Sequence, residues 1–124
     1  MKKPTITKLK KMLDKEYSIY IRNRDNGICF TCGKQDDIKK MQNGHYESRI
    51  YLNTRWNDEN NHCQCKTCNI FKKGNYPKYA TQLEKMYGYG ILQKLELLAS
   101  QEFVLTREWL LEKIEYYKNI NEKK

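Results

Sequence analysis

Apolar residues recur at three- and four-residue steps at the start of the chain: Ile6, Leu9, Leu13, Tyr17 and Tyr20, with lysines between them. That period is helical, so a helix is expected over residues 5–24, stopped by the Asn26-Gly27 turn of "RDNG". The period then disappears. Residues 28–70 carry short turns and room for two short strands, around 41–46 and 62–64. A helix is expected from Gln64 to about Phe71, broken by "KKGNYP". Pro77 suits the first turn of a further helix, 77–87, closed by Gly88. "GILQKLELLAS" places Ile91, Leu92, Leu95 and Leu98 on one side of another. "TREWLLEKIEYYKNI" offers Thr106 as N-cap and Trp109, Leu110, Ile114 and Tyr117 as an apolar stripe. These C-terminal stripes read as core or dimer contacts.

The pattern divides 124 residues into an N-terminal basic helix (1–27), a cysteine-bearing core (28–76) and a C-terminal helical extension (77–124), forming a single compact unit. The fold class is α+β, mostly helical. With 39% hydrophobic and 31% charged residues, the core is small, and a metal staple would help it. No apolar run reaches transmembrane length. No apolar segment follows the N-terminal lysines as a secretory signal would require. A cytoplasmic protein without membrane contact is expected.

Net charge is +9, from 24 basic and 15 acidic residues. Residues 1–28 hold 8 basic and 3 acidic groups, 29–76 hold 8 and 5, and 77–124 hold 8 and 7. The excess lies on the first helix and the cysteine region. A field of that sign favours a polyanion, and nucleic acid is the usual one.

Cys29 and Cys32 form one C-x2-C pair; Cys65 and Cys68 form a second, with 32 residues between the pairs. Two such pairs complete a tetrahedral thiolate site for structural Zn2+. Four thiolates leave no open position for water, so this zinc is not the catalytic metal. The odd cysteine, Cys63, reads as a small buried side chain.

The same region carries candidate chemistry. His45 lies on the first expected strand, Asn60 five residues before Cys65, and Asn69 directly after Cys68. Zinc would clamp hairpin and helix face to face, so His45 and Asn69 can converge on one cleft. Phosphodiester hydrolysis needs a base for water and a divalent cation for the phosphate; a neutral imidazole and an amide oxygen fit. His62, on the same strand face as Asn60, is a rival base. Arg49, Arg55, Lys66, Lys72 and Lys73 flank this region as candidate DNA phosphate contacts, with Arg22 and Arg24 as possible additions. Tyr46 and Tyr51 are expected to pack around the small core, with stacking on unpaired bases as the alternative.

"CFTCG…NGHYESR…TRWNDENNHCQCKTCN…GNYPKYATQLEKMYG", with "YIRNRD" before it, resembles the phage NinG/Rap recombination proteins, within the wider His-Asn-His (HNH) nucleases. The resemblance covers residues 17–88. It implies a zinc-stabilised ββα-metal, treble-clef-like core with flanking helices. It implies His45 as general base, Asn60 as the residue that orients the hairpin loop or imidazole, and Asn69 as ligand of a catalytic Mg2+ or Mn2+. It further implies Cys29, Cys32, Cys65 and Cys68 as structural zinc ligands. The implied activity is metal-dependent endonucleolytic cleavage of branched recombination intermediates, such as Holliday junctions and displacement loops. A homodimer is expected from the symmetry of a four-way junction, and recombination proteins are possible partners. Many HNH nucleases carry an aspartate just before the base; here the position is Gly44, and Asp36, Asp37, Glu47 and Asn75 are the candidate replacement oxygens. Two alternatives remain: a non-catalytic zinc-stabilised junction-binding module, and an HNH enzyme that nicks or restricts ordinary duplex.

Overall fold

The computed structural model describes residues 3–123; residues 1, 2 and 124, which the expected terminal segments include, lie outside them. Helix α1 spans Ile6–Arg24. Thr5 caps it, its side chain accepting from the Lys8 N–H, as an N-cap threonine should. Strand β1 (Met41–His45) pairs antiparallel with β2 (Asn61–Cys65), with His45 opposite Asn61 and Met41 opposite Cys65. The short α2 (Leu52–Arg55) lies in the connection. Helices α3 (Tyr76–Tyr87), α4 (Ile91–Ser100) and α5 (Arg107–Glu122) complete a mixed, mostly helical fold. No described helix is long and apolar enough to cross a membrane.

The helix expected from Gln64 to about Phe71 is present and ends at Phe71, but it starts later and is wider than an α-helix. β2 runs through Cys65, and a single π-type turn, Thr67–Phe71, follows. Its signature is the Lys72 N–H bonding the Thr67 carbonyl at 2.8 Å. The turn is held by sulfur as well as backbone: the Cys68 N–H points at Cys65 Sγ, 3.4 Å away. Lys73 and Asn75 then adopt left-handed backbone, at φ +51° and +50°, which redirects the chain into α3.

Three small clusters make the core. Leu9 and Leu13 of α1 pack against Leu110 and Ile114 of α5. Tyr79 and Leu83 of α3 pack against Ile91 and Leu95 of α4. The cysteines and Met41 make the third. The apolar stripes of α4 and α5 are therefore used inside this chain as core contacts, one of the two readings the sequence left open. Tyr20, expected on the α1 stripe, instead sends its hydroxyl to Asp58; Ile21 is buried in its place.

α1 also braces the sheet. Asp25 accepts from the Cys63 N–H at 2.8 Å, and Arg24 donates to the Asn61 carbonyl at 2.8 Å. Arg22 donates to the Ile38 carbonyl at 2.6 Å. Arg22 and Arg24 thus serve the fold, and their guanidiniums are not free for a polyanion.

Candidate metal centre and catalytic groove

Gly33, with φ +81°, turns the first cysteine pair back so that its N–H reaches the Cys29 carbonyl at 2.8 Å. The Phe30 N–H bonds the Cys63 carbonyl, which ties that knuckle to β2. As a result the four sulfurs of Cys29, Cys32, Cys65 and Cys68 lie within 4.8 Å of one another. Cys32 and Cys65 are 3.7 Å apart. Sulfurs about 2.3 Å from a tetrahedral zinc are about 3.8 Å apart, so the cluster suits such a metal. Asn75 donates to Cys68 Sγ at 3.7 Å, an outer contact of the kind that steadies thiolate ligands. Burial pushes the Cys32 thiol up to about 12, with its sulfur neighbours adding to the shift. A bound cation favours the thiolate form of its cysteine ligands. Cys63 is buried beside the cluster and outside it.

Beyond the cysteines, His45 and Asn69 line one open groove of about 320 Å³, with Asn43, Ser48, Arg49 and Tyr76. β1 supplies His45, and the π-type turn supplies Asn69. His45 Nε2 lies 3.2 Å from the Arg55 carbonyl. A carbonyl only accepts, so the proton sits on Nε2 and Nδ1 keeps its lone pair. Burial pushes the imidazole down to about 4, against the opposing pull of Asp14 and the Arg55 carbonyl. His45 is therefore neutral at pH 7. Asn69 donates its amide N–H to Gln42 Oε1 at 2.7 Å, which leaves its oxygen for another partner.

Asn60 is fully buried and not in the groove. Its Oδ1 accepts from the Glu47 N–H at 2.7 Å, and its Nδ2 donates to the Glu47 and Thr54 carbonyls at 3.1 and 3.0 Å. It pins the loop after His45 to α2. Asn61 adds to this by donating to three carbonyls, those of Thr54, Arg55 and Asn57. The Arg55 carbonyl that orients His45 is thus itself fixed.

Asn43 was not singled out by sequence. Its Nδ2 donates to Asn61 Oδ1 at 3.1 Å, while its own Oδ1 is buried without a partner. The signal was available: Asn43 stands two residues before His45, hence on the same strand face. Gly44 faces elsewhere. A Cβ there would stand 1.8 Å from Gln64 Oε1 and 2.9 Å from its Cγ. Gln64 is fully buried and donates to Thr31 Oγ1 and to the Gly74 carbonyl. Glycine is needed at 44 for space.

The four substitute oxygens proposed from sequence do not line the groove. Asp37 caps the turn at Ile38–Lys40 and Asp36 accepts from the Asp37 N–H. Glu47 has its carboxyl pushed up by burial and by Glu96, and Asn75 serves Cys68. Arg55 is held within the fold: both its Nε and a terminal nitrogen donate to Asp14, which also accepts from Trp56 Nε1. Arg49, Lys66, Lys72 and Lys73 stay exposed. His62 is buried between the Tyr79 and Tyr87 hydroxyls, 3.1 and 2.8 Å away, and stacks on Phe30 at 3.9 Å. It packs in the interior, away from the groove. Tyr46 packs edge-on against Tyr76, and Tyr51 is exposed.

A family model described as "Bacteriophage Lambda NinG protein" matches residues 2–124. The chain is similar to the ninG protein of Escherichia phage lambda, 30% identical over 88 residues, covering 69% of this chain and 43% of that protein. It is also similar to the ninG protein of Salmonella phage P22, 26% identical over 114 residues, covering 90% and 56%. The chain spans about half the length of these relatives. No solved structure matches it.

Proposed function

The chain belongs to the NinG family of bacteriophage lambda, and from that premise we propose that it is a metal-dependent DNA endonuclease of the HNH type acting on branched recombination intermediates. The observation that carries the reading is His45: a neutral imidazole with its Nε2 proton committed to a fixed carbonyl, leaving the Nδ1 lone pair, in a groove that Asn69 also lines. That is the tautomer a general base needs.

His45 Nδ1 takes a proton from water as the water oxygen attacks phosphorus. The P–O3′ bond breaks, leaving a 5′-phosphate, and the 3′ oxygen is protonated from solvent. The Arg55 carbonyl stabilises the imidazolium formed in that step through the Nε2–H bond. Arg49 faces the phosphate from the groove. A divalent cation, when bound, neutralises phosphate charge and stabilises the leaving oxygen. The donors fit a hard ion: the Asn69 oxygen has no internal claim, and the buried Asn43 oxygen lacks a partner. Both are neutral, so Mg2+ or Mn2+ would depend on DNA phosphate for its negative ligands. The cysteine cluster, holding zinc, keeps β2, knuckle and π-type turn in register.

Cleavage of a labelled four-way junction and a matched duplex, with Mg2+ or Mn2+, tests this. Wild type should cut the junction, and His45→Ala should lose at least about 100-fold in rate with zinc content and DNA affinity unchanged. A second reading, a junction-binding module that cuts nothing, is favoured by the absence of any carboxylate among the described groove residues. Tight junction binding without cutting in either metal would decide for it.

A further inference from the structure

Exposed hydrophobic residues follow two of the groove residues in sequence, and hydrolysis does not use them. Arg49 and Asn69 line the groove, and the residues directly after each are exposed hydrophobics. Ile50 is 73% exposed, while Ile70 and Phe71 are 48% and 73% exposed. Phe71 ends the π-type turn. Among the described residues the other phenylalanines and the tryptophans are at least half-buried. Single exposed aliphatics are ordinary. An isoleucine and a phenylalanine in succession, both exposed, directly after a groove residue and before Lys72 and Lys73, are less so.

Their surroundings decide what covers them. Lys66, Lys72 and Lys73 are exposed on the same turn, so the partner must be anionic and still offer an apolar face. A stacked duplex presents phosphates outward and hides its base faces. Bases at a branch point are already partly unstacked, and a flat apolar side chain can enter there at low cost. Resting on the nuclease reading above, we propose that Ile70 and Phe71 form a wedge that inserts between bases at a DNA branch, and that this wedge sets the preference for branched over linear DNA. The lysines hold phosphate without regard to structure; Phe71 tells the two substrates apart.

Binding is measured with zinc as the only divalent metal, using a four-way junction with 2-aminopurine beside the branch and a linear duplex carrying the same label. Wild type should raise junction fluorescence on binding and leave the duplex signal flat. Phe71→Ala should abolish that rise and lower the junction-to-duplex affinity ratio about tenfold, the size of one lost stack, while duplex affinity moves less than twofold. Phe71→Leu should restore part of both. An unchanged ratio in Phe71→Ala, or no fluorescence rise in wild type, overturns the wedge. So does a sedimentation result in which Phe71→Ala splits a dimer and the ratio falls only with that splitting, since Phe71 would then join two copies. Because this readout needs no cleavage, the two ideas separate. Fluorescence response without cutting in Mg2+ or Mn2+ sinks the nuclease alone, and cutting with an unaltered ratio sinks the wedge alone.

Discussion

His45 is held low by burial, at about 4 against an ordinary 6.5, and the proposal that it is a general base therefore fixes a pH range for cleavage. An imidazole acting as base must be unprotonated, so rate falls as pH drops through its pKa. In the free protein kcat/KM should stay flat from pH 8 to about pH 5.5, a full unit below an unperturbed histidine; an acid limb centred near 6.5 would contradict it. Asn60 answers to a different measurement. Replacing it by alanine strips the Glu47 N–H and two carbonyls of their partners and should cost about 2–4 kcal/mol in urea unfolding. Asn43→Ala removes a groove oxygen that no internal donor satisfies. It should also cost about 1–3 kcal/mol of stability, because the buried Asn61 Oδ1 loses its donor, and weaken Mn2+ binding to a complex with uncleavable DNA, read by electron paramagnetic resonance. His45 and Asn69 were legible in the sequence as residue types at telling positions. Asn43 and the hold of Asp14 on Arg55 were not, because amide orientation and ion pairing across 41 residues leave no local pattern.

Among the elements, the cysteine pairs were the clearest in sequence, since C-x2-C spacing is a geometric statement in itself. The helices followed from apolar period and caps: Thr106 accepts from the Trp109 N–H as an N-cap should. The π form of the Thr67–Phe71 turn escaped because it depends on sulfurs 33 residues apart meeting at one point, which local propensity does not encode. Metal removal tests the element-level claim. A strong chelator should release one zinc per chain, unfold the knuckle and β2 cooperatively, and free the Cys65–Cys68 turn that carries Asn69. Activity should then be lost together with sheet signal in circular dichroism. Cys68→Ser should reproduce that loss without chelator. Retention of the sheet signal in zinc-free protein would show that the cluster does not hold these elements together.

For the molecule as a whole, two neutral interior imidazoles make acid the weak direction. His62 is pushed down to about 3 and His45 to about 4, burial being the main cause of each. Between those values and 6.5 the unfolded chain takes up protons that the folded one refuses. Stability is therefore full above about pH 6.5 and falls as pH drops, by about 1.4 kcal/mol per unit per histidine. Thermal melts at pH 7 and pH 5 should differ in that direction. Equal midpoints would mean that neither histidine is buried as described. The packing of α1 on α5 has a further consequence, in the order of events during synthesis. Arg107 reaches back 103 residues to the Pro4 carbonyl, whereas the cysteine pairs close a span of only 33. Closing the longer span costs about 1 kcal/mol more chain entropy, and its far end leaves the ribosome later. A nascent chain can thus load its metal and set its groove while the inner face of α1 is still bare. In that interval Leu9 and Leu13 form a sticky stripe, open to chaperones or to a neighbouring nascent chain.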